Sequence, residues 1–147
     1  MPFPVELPDS FAKRVTDSDS AQVGLFISSG SETNAEIAAS AGFDWLLIDA
    51  EHSPYGLETV TSLLRTVAAY PATPVVRIPV NDTVLIKQYL DLGAQNLMVP
   101  MVHNAEQAEK AVAAMHYPPR GVRGIGAALA RSSRFNGVDD YQGRIFH

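Results

Sequence analysis

Acid–base side chains follow directly after the most apolar stretch of the chain. Residues 43–48 form an apolar run, and Asp49, Glu51 and His52 come at its end. A run of this length and composition is typical of a strand buried on both faces of a parallel sheet. In α/β folds, catalytic side chains gather at the carboxyl ends of such strands. The pattern predicts a candidate site here, although a polar strand end that simply meets solvent explains it equally well.

An arginine ends another apolar strand pattern. Arg77 follows Val75 and Val76 and precedes Ile78. A guanidinium in this position needs a partner, and its planar fork binds carboxylates through two oxygens. The carboxylate belongs either to a substrate or to Asp49 or Glu51 on the neighbouring strand, and both interpretations stay open.

His52 lies one strand–helix unit before Arg77, so both are expected at the same rim of a parallel sheet. Because histidine titrates near neutral pH, His52 could move protons in a reaction. The alternative is a hydrogen-bonded loop histidine. His103 ends a later strand at the same rim, but His52 and His103 have no third metal ligand spaced with them.

Asp91 falls in the last turn of a predicted helix that ends at Leu92. The helix dipole disfavours a carboxylate at this end. The small cost suggests that Asp91 holds a histidine or an arginine, and a solvated surface acid is the alternative.

Strand and helix patterns alternate along the chain. Glycine or proline ends each main helix pattern, at positions 42, 71, 93 and 118. The predicted strands are 23–28, 43–48, 73–80 and 96–102, and the predicted helices are 10–17, 32–40, 54–70, a segment capped by Asn81 or Asp82 and ending at Leu92, 104–115 and a short one at 127–132. Ser53 is predicted to cap the helix that starts at Pro54. This alternation indicates a parallel sheet, either doubly wound or closed into a barrel.

Composition narrows the classes of function. The chain has 147 residues, 46% of them hydrophobic, which suits one domain with a real core. A net charge of −5 without a basic run argues against nucleic acid as a partner. We predict no membrane span, no signal peptide and a cytoplasmic location. The glycine-rich segment 121–126 fits neither a dinucleotide nor a P-loop fingerprint and is interpreted as a turn.

Several segments occur in the order found in a known family, and together they extend over about residues 20–141. The matching segments are Asp49-Ala50-Glu51-His52-Ser53-Pro54, Val76-Arg77, Asn81-Asp82, Leu90-Asp91-Leu92-Gly93-Ala94-Gln95, Val99-Pro100-Met101-Val102 and Pro118-Pro119-Arg120-Gly121-Val122-Arg123-Gly124. In this order they resemble the HpcH/HpaI aldolases, whose first segment reads Asp-Gly-Glu-His.

The resemblance implies an α/β fold of the (β/α)₈ TIM-barrel type with only about the first four βα units present, a half barrel. Residues 1–20 would form a lead-in and short helix, residues 21–119 the four units, and residues 120–147 a glycine-rich loop and tail. The expected activity is class II, metal-dependent cleavage of 4-hydroxy-2-oxo acids to pyruvate and an aldehyde. His52 would be the general base with Asp91 as its carboxylate partner, and Arg77 would bind pyruvate and its enolate.

The resemblance also implies further contacts and a cofactor. Asp49 and Glu51 are expected in the substrate site, and the cofactor is expected to be Mg²⁺, Mn²⁺ or Co²⁺. In the family a Glu and an Asp hold the metal, and both would lie beyond residue 147. The chain therefore resembles a family member cut short, for which self-association into a homo-oligomer is expected because the outer strands lack neighbours. The alternative to an aldolase is an inactive fragment that acts at most as a binding or self-associating module.

Overall fold

The computed structural model describes residues 7–145. The first six residues of the predicted lead-in and the last two of the tail lie outside the described residues. The strands are β1 (Gly24–Ile27), β2 (Trp45–Asp49), β3 (Thr73–Arg77) and β4 (Leu97–Met98), and the helices are α1 (Phe11–Asp17), α2 (Glu32–Ser40), α3 (Leu57–Val67), α4 (Thr83–Asp91), α5 (Ala105–Met115) and α6 (Tyr141–Arg144). Two single 3₁₀ turns cover Ala127–Leu129 and Arg131–Ser133, where one short helix was predicted.

The four strands form one parallel sheet in the order β1-β2-β3-β4. Each strand thus lies beside the next one in the sequence. A doubly wound sheet reverses its order at a switch point, whereas a barrel wall keeps it. The described residues therefore form an α/β parallel sheet consistent with part of a barrel, and the register sets Asp49 opposite Arg77.

The two faces of the sheet have different neighbours. Leu46, Ile48 and Val76 point towards the helices and are fully buried in one core with Val60 and Leu64 of α3. Because side chains alternate along a strand, Leu47, Asp49 and Arg77 lie on the other side, here called the inner face. The candidate site therefore lies on the inner face, at the carboxyl ends of the strands.

Helix α1 covers the amino edge of the sheet. Arg14 donates from Nη1 to the carbonyl oxygens of Asp44 (2.7 Å) and Pro71 (2.9 Å) and to Oγ1 of Thr73 (2.7 Å). The ring of Phe11 lies 5.6 Å from that of Trp45. These contacts fix α1 at the edge opposite the candidate site.

Several boundaries differ from the sequence prediction. Helix α3 begins at Leu57 after Gly56, so Ser53 does not cap it and Pro54 lies in the preceding loop. The hydroxyl of Tyr55 donates to the carbonyl oxygen of Ile27 at 2.8 Å and holds that loop on β1. Strand β3 ends at Arg77 rather than at residue 80, and β4 is only two residues long.

Other boundaries agree with the prediction. Helix α2 covers the predicted 32–40, and Asp82 caps α4 through bonds to two backbone N–H groups. Asn104 caps α5 by accepting from the N–H of Gln107. None of the helices in residues 7–145 combines the length and the apolar composition that a membrane-spanning segment requires.

Candidate active site

A two-point ion pair joins the ends of β2 and β3. Arg77 Nε lies 3.0 Å from Asp49 Oδ1, and Arg77 Nη2 lies 2.9 Å from Asp49 Oδ2. Asp49 is buried, and the hydrogen bonds from Arg77 lower the pKa of its carboxyl below the ordinary value, against the opposing effect of burial. The interpretation of Arg77 as part of an internal salt bridge is confirmed.

The same carboxylate organises the loop that carries the histidine. Asp49 Oδ1 also accepts hydrogen bonds from the backbone N–H groups of Glu51 (3.1 Å) and His52 (3.3 Å). Asp49 thus fixes both the guanidinium and the start of the loop. Asp49 therefore positions both Arg77 and the backbone at His52, and its place in a substrate site stays a prediction.

Glu51 lies between the guanidinium and the imidazole. Its Oε2 is 3.1 Å from Arg77 Nη1 and 3.6 Å from His52 Nε2. The side chain of Glu51 is only 15% exposed, whereas that of His52 is 72% exposed. The imidazole therefore faces solvent at the rim, where a proton can be exchanged with a bound molecule.

Arg77 keeps capacity for a ligand. Its side chain is 21% exposed, and three of its N–H groups face the carboxylates of Asp49 and Glu51. A guanidinium has five N–H donors, so two remain. Its Cζ lies 5.5 Å from the ring centroid of Phe26, a half-exposed side chain of β1 that flanks the guanidinium on the inner face. The open donors can bind a small carboxylate at this rim.

Asp91 lies elsewhere. It ends α4, which runs back from the carboxyl edge of the sheet to the amino edge, and its Oδ1 accepts from Nη2 of the buried Arg123 at 2.8 Å. Arg123 also stacks on Tyr117, with its Cζ 4.7 Å from the ring centroid. Within residues 7–145, no hydrogen bond or ion pair joins Asp91 to His52. The predicted contact between them is not formed, whereas the interpretation that Asp91 holds an arginine is confirmed.

The described residues do not supply a complete metal site. Residues 7–145 contain no group of three or more His, Cys, Asp or Glu side chains that could hold an ion. The carboxylates of Asp49 and Glu51 both pair with Arg77. This part of the chain therefore does not fit a divalent metal on its own.

The chain matches known proteins along most of its length. A family model described as HpcH/HpaI aldolase/citrate lyase matches residues 22–141. The chain is 52% identical over 134 residues to a hydroxypyruvate/pyruvate aldolase of Agrobacterium fabrum, and the match covers 91% of this chain and 50% of that protein. It is 55% identical over 120 residues to a 4-hydroxy-2-oxo-heptane-1,7-dioate aldolase of Salmonella dublin, with 82% and 46% covered.

A solved structure agrees with the sequence relatives. It is an HpcH/HpaI aldolase/citrate lyase family protein from Burkholderia cenocepacia J2315, 40% identical with a TM-score of 0.85, and the match covers 90% of this chain and 54% of that one. The chain thus spans about half the length of the relatives it matches. On the family model, these identities and the shared fold, the chain belongs to the HpcH/HpaI aldolase/citrate lyase family.

Proposed function

We propose that this chain carries the pyruvate-binding and proton-transfer part of a class II aldolase site, which cleaves 4-hydroxy-2-oxo acids reversibly to pyruvate and an aldehyde. The observation that carries the proposal is the cluster of Asp49, Glu51, His52 and Arg77 at the carboxyl edge of the sheet. The names of the two curated relatives support the substrate class. We also propose that the four-stranded sheet is half of a (β/α)₈ barrel.

Arg77 binds the pyruvate portion of the substrate. Its two remaining donors meet the carboxylate and the 2-oxo oxygen, while Asp49 keeps the guanidinium plane fixed. When the C3–C4 bond breaks, its electron pair passes to C3 and negative charge develops on the 2-oxo oxygen as the enolate forms. A fixed positive charge beside that oxygen stabilises the transition state more than the ground state.

His52 acts as the general base. In the cleavage direction it takes the proton of the 4-hydroxyl group, the C4–O bond becomes a carbonyl as the C3–C4 bond breaks, and the aldehyde leaves. C3 of the enolate then takes up a proton, returned by His52 or through solvent, to give pyruvate. Support comes from the solvent-facing imidazole three residues beyond Asp49 and its closeness to Glu51. Asp91 is left out of the reacting group because it lies at the other edge of the sheet and pairs with Arg123.

The family implies a divalent ion, Mg²⁺, Mn²⁺ or Co²⁺, which would act as a Lewis acid on the 2-oxo oxygen. Residues 7–145 do not complete a site for it. We therefore expect weak or no turnover from this chain alone.

The test is retro-aldol cleavage of a 4-hydroxy-2-oxo acid with each of the three ions, followed by detection of pyruvate. Any turnover should be lost in His52→Ala and in Arg77→Ala and kept in His103→Ala, which removes an exposed histidine beyond β4. If turnover is too weak to measure, binding of pyruvate followed by NMR replaces it. Binding that survives Arg77→Ala would overturn the proposal.

A non-enzymatic function is the second candidate. It is favoured by the missing ligand cluster and by β1 and β4, each of which pairs on one side only among the described residues. Such a chain would bind 2-oxo acids without turnover, or associate with other copies. Turnover that is lost in His52→Ala would exclude this candidate, because a purely binding module has no proton-transfer step to lose.

A further inference from the structure

Three arginines gather at the amino edge of the sheet, at the end opposite the candidate active site. Arg65 lies in the last turn of α3, and Arg131 and Arg134 lie in and directly after the second 3₁₀ turn. We call these three residues the arginine cluster. Neither the proposed reaction nor the family resemblance gives them a role.

A glycine makes the space in which two of the guanidinium groups meet. Gly93 follows α4 with φ of +97°, and a Cβ there would collide with Arg131 Nη1 and lie 3.4 Å from Arg134 Nη1. Arg131 Nη1 donates to the carbonyl oxygen of Leu92 at 3.0 Å, and Arg134 Nη1 donates to that of Arg131 at 3.1 Å. The two groups are thus held over the same residue by backbone oxygens.

The arginine cluster has no compensating acid within the described part of the chain. No ion pair in residues 7–145 involves any of its three members. Burial, and then the charges of Arg134 and Arg65, lower the pKa of Arg131 to about 10. Helix-capping at the end of α4 explains Arg131. It does not explain why Arg134 meets Arg131 over Gly93, or why the charge of Arg65 also acts on Arg131.

We propose that the arginine cluster binds a multiply charged oxyanion, carried by a phosphate- or carboxylate-bearing small molecule. Guanidinium groups bind such oxygens in pairs through parallel N–H donors. Arg131 and Arg134 are partly exposed and Arg65 is exposed, so their remaining donors are accessible. An anion here would relieve the mutual repulsion of three positive charges and stabilise the contact between the 3₁₀ turn and α4.

The experiment measures binding and thermal stability of the whole chain. Inorganic phosphate and succinate are titrated separately by calorimetry, and the melting temperature is recorded with each anion against sodium chloride of equal ionic strength. At least one of the two anions should raise the melting temperature by about 3 °C. Which of them acts identifies the chemical source of the ligand.

Substitutions distinguish anion binding at the arginine cluster from a general effect of positive surface charge. Arg131→Gln and Arg134→Gln should each weaken binding at least about tenfold, whereas Lys110→Gln, which removes an exposed charge from α5, should not. Arg65→Gln should also leave the melting temperature without anion equal or higher, because it removes repulsion. Equal stabilisation by chloride, or unchanged binding in both cluster variants, would overturn the proposal. Because binding is compared between wild type and the variants of the arginine cluster, the outcome does not depend on whether Arg77 also binds a carboxylate.

Discussion

One carboxylate, that of Asp49, controls the geometry of the whole candidate site. It fixes Arg77 through two bonds and turns the backbone so that Glu51 and His52 follow at the rim. Its buried position makes these bonds strong and makes their loss costly. The pair therefore contributes to stability as well as to the site.

Replacing Asp49 by Asn should destabilise the chain by about 3 kcal/mol at neutral pH, because it leaves a largely buried guanidinium without its main partner. The folded-state pKa of Asp49 is lowered from its ordinary value of 3.8. Its contribution is therefore fully present above about pH 4 and is lost as the pH falls through the lowered pKa. Urea unfolding at several pH values should show the gap between wild type and variant closing only below pH 4.

A matched control distinguishes this effect from acid denaturation in general. Asp19→Asn removes an exposed carboxylate and should change the free energy of unfolding by less than about 0.5 kcal/mol at every pH. A gap between wild type and Asp49→Asn that stays constant from pH 7 to below pH 3 would contradict the assigned ion pair.

Glu51 limits how well the site holds an anion. Arg77 supplies one positive charge, and Asp49 and Glu51 beside it supply two negative charges. Replacing Glu51 by Gln removes one negative charge and frees a donor of Arg77, so pyruvate should bind about fivefold tighter, which is about 1 kcal/mol. NMR titration with pyruvate measures the change, and Glu51→Asp, which keeps the charge, is the control. Weaker binding in Glu51→Gln would show instead that Glu51 contacts the ligand.

At the scale of elements, two helices end in glycines of the same backbone conformation but different surroundings. Gly42 follows α2 with φ of +88° and has open space where a Cβ would point. Gly93 follows α4 with φ of +97° and has Arg131 in that space. Gly42→Ala should cost about 1 kcal/mol from the left-handed backbone alone. Gly93→Ala should cost about 1 kcal/mol more, because it also displaces Arg131 from the carbonyl oxygen of Leu92.

Urea unfolding of the two variants gives the comparison, and a double-mutant cycle isolates the cause. In an Arg131→Ala background, Gly93→Ala should cost no more than Gly42→Ala does. An extra cost that persists without the Arg131 side chain would show that the backbone, and not the guanidinium, makes Gly93 necessary.

The sequence predicts elements well where their signals are local. Asn104 and Gln107 cap α5 as their spacing indicates, and Asp82 caps α4. The prediction for Ser53 and Pro54 fails because Tyr55 is held on Ile27, a contact 28 residues away that no local pattern records. The sequence predicts the position of Asp91 at the end of its helix. It does not predict the partner of Asp91, because Arg123 lies in a glycine-rich segment whose local pattern indicates only a turn. Local spacing predicts that Arg77 and His52 lie at the carboxyl edge of the sheet. Contacts between residues far apart in the sequence become visible only in the folded structure.

At the scale of the whole molecule, the described sheet has two open edges. Strand β1 pairs only with β2, and β4 only with β3. On the inner face, Phe26 is 49% exposed and Met98 is 40% exposed. Unpaired strand edges beside exposed apolar side chains favour pairing with another chain. The matched relatives are about twice as long, so their additional residues are available to cover such surfaces in those proteins.

We therefore expect this chain to self-associate in a concentration-dependent way. Light scattering coupled to size-exclusion chromatography should give a mass above the 15.9 kDa of one copy. Met98→Lys places a charge on the inner face beside the open edge of β4 and should shift the distribution towards the monomer, because burying an unpaired ammonium between chains is costly. Ile37→Lys changes an equally apolar, 62% exposed side chain on α2 and should leave the mass unchanged. A well-folded, monodisperse monomer at all concentrations would contradict self-association, and equal effects of both variants would place the contact away from the inner face.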